Sequence, residues 1–341
     1  MEKQINILGI ESSCDDTAAA IVQDGMLLSN VIAGQDVHKM YGGVVPELAS
    51  RAHQQHIIPV VDSAIKSSGI KKKDISAIAF TNGPGLMVSL LVGSSFSKGM
   101  SEILGIPMIE INHLHAHASS LFIKKVGDKQ KRPSFPYLCL TASGGHTQIV
   151  RVDSYIEMKM IGTTLDDAAG EAFDKGARIL NFPYPGGPFI DKWAKKGNPT
   201  AFQFAKPEVP DFNFSFSGLK TSFLYFVRDH MKKDDKFIEK NIADLSASLQ
   251  KTIIDILIDK LEKAALFTGI RQLAIAGGVA ANSGFRAALQ QKANKHSWDV
   301  YWPLSEYCTD NAAMIATRGY YKYLCKQFAS VHSTPNSNLP F

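Results

Sequence analysis

Three histidines fall within five residues in His113-Leu114-His115-Ala116-His117. On a helix, His113 and His117 sit one turn apart on the same face, where both imidazoles can reach one metal ion. A surface helix that carries histidines without a metal has the same spacing, so a third ligand is needed to decide. His115 points elsewhere and reads as a solvent-facing or supporting residue. Metallopeptidases also use a His-x-x-x-His pair, but they need Glu directly after the first histidine as general base. Leu114 stands there instead. Asp310, within Tyr307-Cys308-Thr309-Asp310-Asn311, lies at an apparent helix start and is either a third ligand or simply the residue that caps that helix.

A second kind of chemistry is written in glycine. Ser143-Gly144-Gly145-His146-Thr147 can wrap backbone N–H groups around a phosphate, because glycine lets the chain approach closely. A plain hairpin turn has the same composition. In Leu273-Ala274-Ile275-Ala276-Gly277-Gly278-Val279-Ala280-Ala281-Asn282 an apolar strand runs into a double glycine and then a helix near Ser283. That arrangement leaves N–H groups at a helix start facing a ligand. Asp15 and Asp16 cannot bind phosphate directly; they suit a cation, or a hydrogen bond from an amine or hydroxyl. Two such turns and a strand-Gly-Gly-helix unit together suggest a nucleotide cleft.

The elements that must position these groups are legible in outline. Residues 4–10, 18–22 and 26–32 read as a meander of three strands, turning at residues 11–17 and at Asp24-Gly25. A second hairpin of similar shape follows at 137–142 and 147–152, so the two read as openings of related lobes. Residues 127–133, charged and ending in Pro133, mark the boundary; the lobes are then 1–130 and 131–341, the last helix free to pack across both. Apolar residues at helical spacing predict helices over 45–66 and 237–267. The Pro-, Gly- and Phe-rich stretch 181–217 reads as a functional irregular segment, and the tail from Ser330 as frayed.

Bulk properties bound the function without naming it. The 341 residues allow two domains of ordinary size, and 45% hydrophobic with 20% charged residues describes a globular protein with ample core. A net charge of +5 is compatible with an RNA substrate and proves none. Four scattered cysteines form no Cys-x-x-Cys pair, which argues against a zinc ribbon or disulfide framework. With no apolar leader after Met1-Glu2-Lys3 and no run long enough to cross a bilayer, the chain reads as cytoplasmic.

Taken in order, several segments resemble the TsaD family of tRNA N6-adenosine threonylcarbamoyltransferases, formerly described as O-sialoglycoprotein endopeptidases. They begin with Gly9-Ile10-Glu11-Ser12-Ser13-Cys14-Asp15-Asp16-Thr17, Tyr41-Gly42-Gly43-Val44-Val45-Pro46-Glu47, Gly83-Pro84-Gly85-Leu86 and the His113/His117 pair. Ser143-Gly144-Gly145-His146-Thr147-Gln148, Asp166-Asp167-Ala168-Ala169-Gly170-Glu171, Tyr184-Pro185-Gly186-Gly187-Pro188 and Phe214-Ser215-Phe216-Ser217-Gly218 follow. Gly277-Gly278-Val279-Ala280-Ala281-Asn282 and Cys308-Thr309-Asp310-Asn311 complete a set that covers roughly residues 5 to 320.

The resemblance implies an α/β chain of the actin/sugar kinase/Hsp70-like two-lobed fold, with a nucleotide cleft between the lobes. It implies one divalent metal ion, iron first and zinc second, held by His113, His117 and Asp310. It also implies that Thr141, Ala142, Ser143, Gly144, Gly145, Asp174, Gly186, Asp191 and Asn282 contact threonylcarbamoyl-AMP, with Asp15 beside the reacting group. The reaction would place the threonylcarbamoyl group on N6 of adenosine 37 in tRNAs reading codons that begin with A. Expected partners are a paralogous TsaB-type subunit and a TsaE-type ATPase. His115 departs from the family pattern between the two histidines. Rival readings are a small-molecule kinase of the same fold, which has no use for paired histidines, an Hsp70-like module, which would need a further peptide-binding domain, and a metallopeptidase.

Overall fold

In this computed structural model, residues 4–341 are described; Met1-Glu2-Lys3, the start read above as carrying no apolar leader, lie outside them. The chain divides into two compact units, one of residues 1–132, 154–158 and 309–341, the other of 133–153 and 159–308. Among the described residues no helix is long and apolar enough to cross a membrane.

The first unit is built on strands β1 (Asn6–Glu11), β2 (Thr17–Gln23) and β3 (Met26–Ala33), the meander expected from the sequence. Helix α1 (Pro46–Ser68) follows, then β4 (Ala77–Gly83), α2 (Met87–Leu104), β5 (Met108–Asn112) and the short helix α3 (His113–Ser119). The sheet order is β3-β2-β1-β4-β5, with β1 antiparallel to β2 and parallel to β4. β1 is buried at every position, as a strand covered on both faces must be. Leu8, Ile10, Ile21, Ile78 and Phe80 meet Ile57, Val61 and Ile65 from α1. That helix begins with Pro at its first position and Glu47 in its first turn, and it ends at Lys66 and a left-handed Gly69.

The second unit repeats the plan. Strands β6 (Tyr137–Ala142), β7 (Thr147–Val152) and β8 (Met158–Thr163) lead to α4 (Ala169–Ile179), α5 (Gly187–Ala194), α6 (Ser217–Met231) and the long α7 (Phe237–Thr268). β9 (Gln272–Ala276), α8 (Ser283–His296) and β10 (Asp299–Tyr301) complete it. Its order, β10-β9-β6-β7-β8, mirrors the first sheet, again with one antiparallel hairpin and a parallel neighbour. Leu138, Leu140 and Ile275 pack with Leu249, Ile253 and Leu257 of α7 and with Phe214, Phe216 and Phe223. The stretch 181–217 is irregular apart from α5, and the Asp166 carboxylate pins its end by accepting from Phe216 N and from the Ser215 and Ser217 hydroxyls.

The C-terminal helix (Ala312–Leu324) returns to the first unit and lies on β1 through small residues. Buried Arg318 draws in residues 154–158 by donating to the Tyr155 and Ile156 carbonyls. The tail beyond Ser330, expected to fray, is docked instead. Asn336 N donates to Asn82 O at 2.8 Å, Gly85 N to Ser337 O at 3.2 Å, and Asn112 Nδ2 to Pro340 O at 2.8 Å. Polar, proline-bearing composition resembled disorder locally; the partners that order the tail are distant in sequence. Gly83 has φ +148°, and a Cβ there would overlap the Asn336 carbonyl. Gly83→Ala should therefore lift the tail, speeding exchange of the Asn336 and Gly85 amides about tenfold or more in hydrogen-exchange mass spectrometry. Unchanged protection would mean the tail is held elsewhere.

Candidate metal centre and glycine-lined turns

Asn112 caps α3 through its Oδ1, which accepts from Leu114 N at 2.9 Å and His115 N at 3.3 Å. With the helix start fixed, His113 and His117 turn inward, 6% and 1% exposed, with their rings edge to face. Their Nε2 atoms lie 3.1 Å apart. Asp310 Oδ1 completes a triangle, 3.4 Å from His113 Nε2 and 3.2 Å from His117 Nε2. Donors about 2.0–2.1 Å from a tetrahedral ion lie about 3.3 Å apart, so this triangle has the size of one face of a coordination shell. Among the described residues these three form the group able to hold a metal ion. Two imidazole nitrogens facing each other, with a carboxylate oxygen on both, is an arrangement a cation resolves.

Asp310 is not a cap. The C-terminal helix is capped by Asn311, whose Oδ1 accepts from Met314 N at 3.0 Å, leaving Asp310 one residue outside the helix and free to face the histidines. The sequence placed an acid at a helix start but could not say which of two adjacent residues did the capping. His115 does not join the donors. Its Nε2 is buried without a hydrogen-bond partner among the described residues, and its ring packs on Phe341 at 4.2 Å. Burial, with Arg318 and Lys322 nearby, pulls its pKa down to about 3, so it is a neutral packing residue rather than a solvent-facing one.

Electrostatics knit the centre together. Burial alone would lower the His113 pKa, but the Glu11 and Asp310 carboxylates outweigh it and hold the group well above its ordinary value. Burial would likewise raise Asp310, yet His113 and His117 hold its carboxyl far below the usual range. Asp15 and Asp16 sit half-buried in the turn after β1. His53 of α1 clamps that turn, Nε2 donating to Cys14 O at 3.0 Å and Nδ1 accepting from the Thr17 hydroxyl at 2.7 Å.

On the second unit, Ser143 N donates to His146 O at 2.8 Å and closes the turn. The start of α4 braces it, with Gly170 N on Ser143 O and Ala169 N on the Thr147 hydroxyl. Gly144 and Gly145 are exposed, and a Cβ on either would meet nothing. Thr141 and Ala142 are buried in β6, so only their backbone can face a ligand. Gly277, at φ +85°, brings β9 against the Ala142 backbone, where a Cβ would overlap the Ala142 carbonyl. Asp174 Oδ1 accepts from Gly186 N at 2.7 Å, and burial raises its pKa despite that bond. Asn282 caps α8, accepting from Phe285 N and donating to Gln250. Asp191 accepts from the Ser283 hydroxyl at the same helix end. The predicted residues thus gather into the 143–146 turn with Gly277, the Asp174–Gly186 pair, and the α8 start.

The family model for TsaD, tRNA N6-adenosine threonylcarbamoyltransferase, matches residues 26–317. The chain belongs to this family. A curated relative of that name from Porphyromonas gingivalis is 59% identical over 339 residues, covering 99% of both chains. One from Christiangramia forsetii is 59% identical over 340 residues, covering 100% of this chain and 99% of the relative. By fold alone, the chain is similar to full-length HypF, with TM-score 0.63 at 13% identity over 96% of this chain and 48% of that one. It is also similar to component A of (R)-2-hydroxyglutaryl-CoA dehydratase from Acidaminococcus fermentans, with TM-score 0.53 at 17% identity over 94% and 99%. These are neighbours of the actin, sugar kinase and Hsp70 type, as the family resemblance implied. The enzyme is a tRNA-modifying acyltransferase.

For this transferase the sequence reading left one residue without a role. Glu11, quoted only as part of a motif, is fully buried beside His113. Its signal was available: an acid directly after the apolar, buried Ile7-Leu8-Gly9-Ile10 needs a partner.

Asp16 offers a test of the turn. Burial, then Asp15, Asp310 and Glu11, push its pKa up to about 7. The folded protein then holds this proton more tightly than the unfolded chain, so stability is lost as pH rises from about 4 to 7. In metal-free protein, Asp16→Asn should be more stable than wild type at pH 8 by about 1–3 kcal/mol, with the difference gone near pH 4. Urea titrations at the two pH values measure this; equal stabilities at pH 8 would mean Asp16 ionises freely.

Proposed function

We propose that this transferase moves the threonylcarbamoyl group from threonylcarbamoyl-AMP to N6 of adenosine 37 in tRNAs reading codons that begin with A. The observation that carries the reading is the His113–His117–Asp310 triangle on the same unit as the Asp15-Asp16 turn. A bond forms between N6 and the carbamoyl carbon, the bond from that carbon to the AMP phosphate oxygen breaks, and N6 gives up a proton. An exocyclic adenine amine is a poor nucleophile, so holding it against the carbonyl supplies much of the rate.

A divalent ion bound by His113, His117 and Asp310, iron in our reading with zinc also suited to two imidazoles and a carboxylate, supplies Lewis acidity and a fixed point for the donor substrate. Asp15 orients the amine or takes its proton. The turn of residues 141–145 offers backbone N–H groups at the open Gly144 and Gly145 to the adenylate. Asp174, Gly186, Asp191 and Asn282 contact the same donor. The target adenine lies in a single-stranded loop and can be splayed out without breaking a duplex. A TsaB-type subunit and a TsaE-type ATPase complete the assembly, in the cytoplasm, and a separate enzyme makes the donor.

The test supplies synthetic threonylcarbamoyl-AMP and an unmodified tRNA to the protein with those partners, then digests the tRNA. Appearance of the modified nucleoside supports the proposal. If it is absent while a proven relative works with the same partners, the donor or the acceptor has been misassigned.

A further inference from the structure

Glu11 makes three contacts that leave its carboxylate no freedom. Oε1 accepts from Ser13 N at 2.6 Å, and Oε2 accepts from the Thr81 hydroxyl at 2.7 Å. Oε2 also lies 3.1 Å from His113 Nδ1, with the Ser13 hydroxyl 3.2 Å from the same nitrogen. The carboxylate is fully buried at the end of β1, while His113 sits on α3. Among the described residues His117 has no such counterpart, its Nδ1 being buried without a hydrogen-bond partner. The two histidines are therefore held differently.

We infer that Glu11 is the positioning residue that fixes His113 as a ligand, keeping its Nδ1 protonated and its Nε2 lone pair turned toward the metal. This rests on the metal reading of His113, His117 and Asp310. The chemistry follows from what each atom can do. A carboxylate with both oxygens already accepting can offer His113 only an acceptor, so Nδ1 must be the donor. Nε2 then has no proton to lose once the ring is neutral, and it points at His117 Nε2 and Asp310 Oδ1. Carboxylates behind ligating imidazoles act in this way, fixing ring orientation and raising ligand basicity. Thr81 on β4 and Ser13 after β1 in turn fix the carboxylate, so the sheet carries the positional information to the metal.

Glu11→Gln is the decisive substitution because it keeps the shape. Ser13 N still needs an acceptor, which orients the new amide oxygen toward it and turns the NH2 toward His113 Nδ1. A donor facing Nδ1 drives the ring proton to Nε2, the atom the metal needs. The protein is loaded with zinc as probe, and affinity is read by competition with a chromophoric chelator. Affinity per folded molecule is expected to fall about 10–100-fold in Glu11→Gln, the folded fraction being read by circular dichroism. Long-range 15N–1H spectra of the zinc-loaded variant should show loss of the Nδ1-protonated, Nε2-ligated form of His113. Wild-type zinc affinity in Glu11→Gln, alongside loss of binding in His117→Ala, overturns the inference and leaves the metal reading intact. Failure of the wild-type protein to bind zinc, cobalt or ferrous iron overturns the metal reading, and this inference with it. If Glu11→Gln does not fold, Thr81→Val decides. It removes one donor to Oε2 at constant volume, and an unchanged zinc affinity overturns the assignment.

Discussion

Replacing Asp310 by alanine is expected to strip the protein of its metal and of its transferase activity while leaving it folded. The reasoning lies in a division of labour between neighbours. Asn311 caps the C-terminal helix, and Asp310 Oδ1 faces His113 and His117. Removing a direct ligand from a three-residue site should cost more than the 10–100-fold typical of the groups behind the ligands, so affinity should drop by more than about 100-fold. Product formation should fall in step. Asn311→Ala should do the reverse, destabilising the fold by about 1 kcal/mol while metal content after dialysis stays near wild type. Metal analysis, nucleoside digestion and urea titration of the pair separate the two effects. An Asp310→Ala protein that keeps one metal ion and normal turnover would falsify the assignment of Asp310 as a ligand.

Gly9→Ala is expected to damage the same centre through the contact between β1 and the C-terminal helix. A Cβ on Gly9 would lie 2.6 Å from Ala316 N, 2.7 Å from Ala312 O and 2.8 Å from Ala316 Cβ. Two of these are backbone atoms of the C-terminal helix and cannot swing aside as a side chain could. The helix must lift off β1, at a cost of about 1–3 kcal/mol and more if the sheet cannot follow. Asp310 is attached just before that helix and Glu11 ends β1, so the lift pulls the third ligand away from the histidine pair. We expect a lower urea midpoint together with a fall in metal affinity of about tenfold or more. The coupling is the informative part. Loss of stability with wild-type metal affinity in the folded fraction would show that Asp310 is placed by its own loop rather than by the helix.

These two substitutions show how differently the parts of the centre were written. His113 and His117 were legible because helical spacing is local: four residues on a helix bring two side chains to one face wherever the helix lies. The hairpins were legible for the same reason, through short apolar runs broken by Asp24-Gly25 or Ser143-Gly144-Gly145 at the turns. The strand-Gly-Gly-helix unit gained a detail, a single 3-10 turn over Gly278–Ala281 before α8. Asp310 was a carboxylate with two possible jobs until the capping bonds assigned one of them to Asn311. The tail from Ser330 read as loose because its composition is that of loose segments, whereas Asn82, Gly85 and Asn112, which order it, come from the middle of the chain.

By itself the sequence determined the two hairpins, the two longest helices, the glycine turns, the histidine spacing and, through an ordered series of motifs, the family. All of these are patterns of residue type at short range or in linear order, where backbone geometry permits few alternatives. Tertiary structure alone decided which groups converge. It set Glu11 behind His113, turned His115 onto Phe341, held the tail against β4 and β5, and gave the capping to Asn311, leaving Asp310 to the histidines as the family resemblance implied. Those outcomes depend on which face of the C-terminal helix meets β1, and small residues such as Gly9 and Gly319 set that contact through distances that no local pattern records.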